Sequence, residues 1–213
     1  GPSTAAVGSS PLAPERLLLA EDLDATDDPL HGHQEGRFFH GYYDCHCYLP
    51  LYVFCGRHLL AAKLRRSNID ASEGAVEAVS VLVEEIRLSW PEVPILLRAD
   101  SGFAREELMA WCEENRTDYV FGLAKNSRLK TEIETELEEA QQEFEGTGQA
   151  ARRFRDFFYR TRERWWRARR VVGKAEHLAK GANPRFVVTS LSPEAWPARE
   201  LYERLYCQRG EME

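Results

Sequence analysis

Four consecutive apolar residues, Leu17 to Ala20, run into Glu21-Asp22-Leu23-Asp24, the pattern of a buried strand whose end turns abruptly acidic. A Gly- and His-containing loop follows at 28–33, and residues 37–55 are then dense in Phe, Tyr, Val and Leu, a strand-like composition. With a third strand over 58–64, the opening reads as an antiparallel meander. Asp70 or Ser72 can cap a helix over 73–90, because Val76, Val79, Leu82, Val83 and Ile86 fall at helical spacing and Pro91 ends it. An apolar strand over 93–100, a helix over 105–115 and a short strand over 118–123 complete the order β-β-β-α-β-α-β. That order predicts an α/β fold, a mixed sheet with helices packed on its faces.

Beyond this point the pattern changes. Residues 127–146 read as a solvated, glutamate-rich helix. Residues 154–178 alternate Arg with aromatic and Val residues, which predicts a hairpin exposed on one face. Residues 186–189 form one more strand, and from 198 the spacing is helical. The expected organisation is a disordered tail or vector remnant over 1–15 and the first part of a core over 16–124. A mostly β insertion over 125–185 follows, and the last strand and terminal helix of the core occupy 186–213.

The chain has 213 residues, 43% of them hydrophobic, enough for one core, so a disordered tail or a fibre is excluded as the whole answer. No apolar run approaches the roughly 18–20 residues of a membrane span, and no secretory leader pattern opens the sequence. Five cysteines, an odd number in a chain of this size, favour reduced thiols and a cytoplasmic setting. The net charge of −7 argues against a nucleic-acid binder, but the average conceals a contrast. Seven glutamates fall between 132 and 145 with no base among them. Between 152 and 174 there are ten bases and only two acids, a local +8. A cationic stripe of this kind suits phosphate neutralisation on a nucleic acid.

Asp24 and Asp100 each end an apolar strand. If both strands are central in one sheet, their carboxylates meet at its edge, where hard oxygen ligands hold Mg²⁺ or Mn²⁺. Asp22 lies two residues before Asp24 and on the same strand face, which leaves the choice between them open. Tyr206, Arg209 and Glu213 are spaced by three and four residues, which aligns a phenol, a guanidinium and a carboxylate on one face of a helix. Trp165 and Trp166 are adjacent, so on a strand one packs inward while the other is available to stack on an unpaired base. Cys45-His46-Cys47 alternates across a strand and has no second Cys/His pair at finger-like spacing, a weak zinc signal. No phosphate-binding Gly-rich loop ending in Lys-Ser/Thr occurs.

Four segments, Asp22-Leu23-Asp24-Ala25-Thr26-Asp27-Asp28-Pro29-Leu30-His31-Gly32, Leu97-Arg98-Ala99-Asp100-Ser101-Gly102-Phe103, Asp118-Tyr119-Val120-Phe121-Gly122-Leu123 and Tyr206-Cys207-Gln208-Arg209-Gly210-Glu211-Met212-Glu213, resemble in order those of bacterial insertion-sequence DDE transposases. The similarity is to the branch whose third acid sits in a Tyr-x2-Arg-x3-Glu-x6-Lys signature. It implies a ribonuclease-H-like core interrupted by a mostly β insertion, with Asp24, Asp100 and Glu213 as catalytic acids holding two Mg²⁺ or Mn²⁺ ions. It further implies that Tyr206 and Arg209 contact DNA phosphates, that the insertion's Trp165, Trp166, Arg162, Arg164, Arg167 and Arg169 contact DNA, and that protomers pair on transposon ends and a target. The sequence stops at Glu213, before the signature's lysine, and shows no separate DNA-binding segment, so the expectation is an excised catalytic domain, with activity of the fragment alone open. The alternatives are a stand-alone metal-dependent nuclease of the same fold and a non-catalytic DNA-binding module derived from such an enzyme.

Overall fold

The computed structural model describes residues 19–30, 34–35, 37–41 and 44–212, and in chain order these form twelve strands and five α-helices, followed by a π and a 3₁₀ turn. The N-terminal half contains β1 (Leu19–Ala25), β2 (Asp28–Pro29), β3 (Phe38–His40), β4 (Cys45–Tyr48), β5 (Leu51–Cys55), β6 (His58–Lys63), α1 (Ala75–Ser89), β7 (Ile95–Ala99), α2 (Glu106–Glu114) and β8 (Thr117–Leu123). The C-terminal half contains α3 (Ser127–Glu132), α4 (Glu134–Thr147), β9 (Ala151–Tyr159), β10 (Arg169–Leu178), β11 (Gly181–Ala182), β12 (Arg185–Thr189) and α5 (Ala198–Glu200). The expected tail over 1–15 and Glu213 lie outside the described residues.

One mixed sheet runs in the order β11-β10-β12-β8-β7-β1-β5-β6, with β9 paired to β10. β1, β7 and β8 are mutually parallel at its centre, and the outer pairings are antiparallel. This is the predicted mixed α/β architecture. The meander is modified, because β3 and β4 leave the main sheet and pair with β2 in a separate three-stranded sheet. There Cys47 is buried and His46 exposed, as alternation requires.

β7 is buried at every position because it is covered on both faces, and its period of two divides the core. Ile95, Leu97 and Ala99 join Leu23, Val53, Tyr119 and Phe121 beneath the buried stripes of α1 (Val79, Val83) and α2 (Leu108, Met109). On the opposite face Leu96 and Val120 join Val172 and Val187 beneath Leu201, Tyr202 and Leu205 of the C-terminal segment.

Two expectations for the C-terminal half change. The glutamate-rich helix is broken at Ile133, which leaves helical geometry at φ −118° and is fully buried. Its Cγ2 sits 2.6 Å from where a side chain on Gly173 would begin, so β10 carries glycine at the point where Ile133 seats. The Arg-rich hairpin keeps exposed positions on β9 only: β10 is buried for its first eight residues, because β12 pairs with it and continues the central sheet while α4 packs on it.

Among the described residues, seven of the ten bases between 152 and 174 are paired with acids, two of them with the acidic helix packed against the hairpin. Arg153 pairs with Glu139 and Glu143, and Arg155 with Glu136. Elsewhere Arg152 pairs with Glu176 and Glu203, Arg170 with Asp156, and Lys174 with Glu176. The two sequence blocks of opposite sign are partners in one hairpin–helix unit.

Candidate active site

The last paired residues of the parallel strands β1 and β7 are Leu23 and Ala99. Asp24 and Asp100 are the next residues on the two chains, both partly buried, at the carboxyl end of neighbouring central strands. Since Leu23 and Ala99 point into the core beneath α1 and α2, the two aspartates belong to the opposite face, the one covered by the C-terminal segment. The Asp100 carboxylate accepts a 2.7 Å hydrogen bond from the Gly102 amide, which holds it at the top of the turn leaving β7.

Asp22 is on the same face but has a different task. Arg98 Nε and Nη2 donate to Asp22 Oδ1 and Oδ2 at 2.8 and 2.7 Å, and Arg98 Nη1 donates to the Leu205 carbonyl at 3.0 Å. Both side chains are buried. Burial pushes the Asp22 carboxyl above its usual range, with the Arg98 hydrogen bonds and charge and the Arg209 charge pulling it back. A carboxylate committed to a fork of this kind has both oxygens satisfied.

The terminal segment reaches the site as a change of helix type: α5 passes into a π-helical stretch, Leu201–Tyr206, and then a 3₁₀ stretch, Cys207–Met212. A uniform α-helix is therefore not what aligns Tyr206 with Arg209. In 3₁₀ geometry positions three apart eclipse, and the Arg209 guanidinium lies over the Tyr206 ring at 5.9 Å. The Tyr206 hydroxyl is 2.6 Å from where a Cβ on Gly122 would stand, and that same point is 2.9 Å from the Ser101 amide nitrogen and 3.1 Å from the Asp100 carbonyl carbon. Gly122 thus lets the phenol reach the backbone that carries Asp100. Burial raises the Tyr206 pKa, opposed by Arg209 and reinforced by the Asp100 charge, so the hydroxyl stays a proton donor.

A cleft of about 560 Å³ opens here, lined by Asp100, Gly122 and Tyr206 and by Lys125 and Arg185. A second cleft of about 560 Å³ lies between α1 and α2 around Val83, Leu88 and Trp111, with neither aspartate in its lining. Glu213 is outside the described residues, so the expected third acid has no placement here. Among the described residues no three acidic, His or Cys side chains cluster as a metal site.

The basic loop between β9 and β10 divides in two. Thr161 Oγ1 accepts from the amides of Arg164 and Trp165, closing a turn in place of the expected strand. Trp165 is 5% exposed and packs edge-on against Tyr159, whereas Trp166 is 66% exposed with the Arg167 guanidinium over its ring. Arg169, expected to face DNA, is instead buried, and forks onto both Glu106 and Glu113 of α2. Arg167 pairs with Glu113 at 2.6 Å. Arg162 and Arg164 are exposed, and among the described residues neither forms an ion pair. The sequence reading missed Arg98, Gly122, Lys125 and Arg185. An arginine inside the otherwise apolar Ile95–Ala99 was the available signal, because a buried guanidinium demands an acid beside it.

A family model described as transposase DDE domain group 1 matches residues 6–213. The chain belongs to that family. No curated protein matches this transposase domain. Among solved structures it is similar to a piggyBac transposase in a synaptic complex with hairpin DNA determined by cryo-electron microscopy, at 11% identity and a TM-score of 0.45. That match covers 82% of this chain, which spans about a third (33%) of the length of the piggyBac chain. Among the described residues of the DDE domain no helix is long and apolar enough to cross a membrane.

Proposed function

We propose that this domain cleaves DNA phosphodiesters at transposon ends and joins the freed ends to a target, with Asp24 and Asp100 as two of its catalytic acids. The observation that carries the reading is the placement of these two carboxylates, one residue past Leu23 and Ala99 on adjacent parallel strands. They share the face that receives Tyr206 and Arg209. The fork of Asp22 with Arg98 favours Asp24 over Asp22 for the role.

Two neighbouring carboxylates form a hard-oxygen donor set that fits a divalent cation of the Mg²⁺ or Mn²⁺ type, and Glu213 would bring a third. The chemistry such cations would supply there is activation of an attacking hydroxyl and charge stabilisation on a leaving oxygen at phosphorus. The chain's own groups do the positioning. Tyr206 presents a protonated hydroxyl beside the Asp100 backbone, Arg209 presents a cation over the same ring, and the Gly102 amide fixes the Asp100 carboxylate.

The test is calorimetric titration of Mn²⁺ into the wild type, Asp24→Asn, Asp100→Asn and Asp22→Asn, with a parallel assay of strand cleavage and joining. Loss of metal binding and cleavage in the first two variants, with the fold retained by circular dichroism, is expected. Cleavage without joining would assign a nuclease, and full Mn²⁺ affinity in Asp24→Asn and Asp100→Asn would remove both residues from the site.

A further inference from the structure

Two cations outside the hairpin stand at the cleft that holds Asp100. Lys125 and Arg185 are both exposed, and among the described residues neither has an ion-pair partner. Both line the same cleft as Asp100, Gly122 and Tyr206. The topology explains why they meet. β7, β8 and β12 are successive neighbours in the sheet, Asp100 follows β7, Lys125 follows β8 by two residues, and Arg185 opens β12, which runs antiparallel to β8 with Phe186 opposite Leu123. All three residues therefore stand at one edge of three adjacent strands. Two strand spacings amount to about 10 Å, the axial rise of about three nucleotides.

We infer that Lys125 and Arg185 form a phosphate-binding wall that seats the DNA backbone next to Asp100, a strand-holding role separate from the metal-binding acids. The inference rests on the DNA chemistry proposed above and assigns the direction in which the strand leaves the site: across the β8–β12 edge, away from β1. The chemistry of the cleft fits a polyanion. Two cations line it with Asp100 as the one acid among its described lining residues, and the Tyr206 hydroxyl adds a neutral donor. Lys125 and Arg185 stand on adjacent strands with Asp100 one strand further along, so the phosphates of one backbone reach both cations while a neighbouring phosphate lies at Asp100.

The experiment measures binding of a labelled DNA duplex in EDTA over a series of salt concentrations, so that no strand is cut. The proteins compared are the wild type, Lys125→Ala, Arg185→Ala, the conservative Lys125→Arg and Arg185→Lys, and Arg153→Ala as a paired-arginine control. Each alanine variant of the cleft should bind several-fold more weakly and reduce the slope of log K against log salt by about 0.9, one phosphate contact. The conservative variants should restore that slope, and Arg153→Ala should leave it unchanged. An unaltered slope in Lys125→Ala and Arg185→Ala, with the wild type binding normally, overturns the inference and leaves the metal site standing. No DNA binding by the wild type overturns both it and the DNA reading it rests on.

Discussion

The guanidinium of Arg98 holds Asp22 through two hydrogen bonds of 2.8 and 2.7 Å and the Leu205 carbonyl through a third of 3.0 Å. One side chain thereby ties two central strands to the π-helical stretch that bears Tyr206. Asp22 and Arg98 are also register partners across β1 and β7, two residues before Asp24 and Asp100 on the same face. The clamp and the proposed catalytic acids thus lie two residues apart on one face of these strands, with the last paired residues Leu23 and Ala99 between them.

Breaking that clamp from either side leaves an uncompensated buried charge. Arg98→Ala or Asp22→Asn should lower unfolding stability by about 3–5 kcal/mol. Guanidinium denaturation monitored by tryptophan fluorescence checks this, and the double variant Asp22→Asn/Arg98→Met should lose less than Arg98→Ala alone.

Gly122 is predicted to tolerate no side chain. A methyl group there meets the Tyr206 hydroxyl at 2.6 Å and the Ser101 amide nitrogen at 2.9 Å, and the second neighbour is backbone that cannot swing aside. Gly122→Ala should cost about 1–3 kcal/mol of stability. It should also depress cleavage more than Tyr206→Phe does, because it moves the Asp100 turn as well as the phenol; kinetics on the two variants side by side make the comparison.

The two adjacent tryptophans should respond oppositely. Trp165→Ala removes a ring buried against Tyr159 and is expected to destabilise the fold by about 3–5 kcal/mol. Trp166→Ala should leave the melting temperature nearly unchanged, and any effect it has should appear in binding of flapped or hairpin DNA ends.

Acid stability should depend on Glu176. Buried and hydrogen-bonded by Lys174, Arg152 and Asn183, its carboxyl is held down to about 2 from 4.5, although burial alone would raise it. A depressed carboxyl stabilises the folded state when ionised. The contribution, of the order of 3 kcal/mol, is complete above pH 4.5 and declines as the pH falls towards 2. The stability difference between wild type and Glu176→Gln, followed by chemical denaturation across that window, should shrink steadily with acidification.

The sequence alone determined the alternation of strands and helices through residue 123, since period-two and helical apolar spacing reflect which face is buried and need no knowledge of neighbours. It also marked Asp24 and Asp100, because an acid at the end of an apolar run is visible locally. Tertiary structure decided what depends on pairing between distant segments. Asp22 and Asp24 are indistinguishable until Arg98, on another strand, forks onto one of them. The bases of 152–174 look like a free cationic surface until acids of α2, α4, β9, β10 and the C-terminal segment pair with most of them, and β10 becomes the extension of a sheet once β12 pairs with it. Lys125 and Arg185 come to line one cleft with Asp100 only because β7, β8 and β12 are neighbours in the sheet. Electrostatic neutralisation and strand order are long-range properties, and a linear pattern records neither.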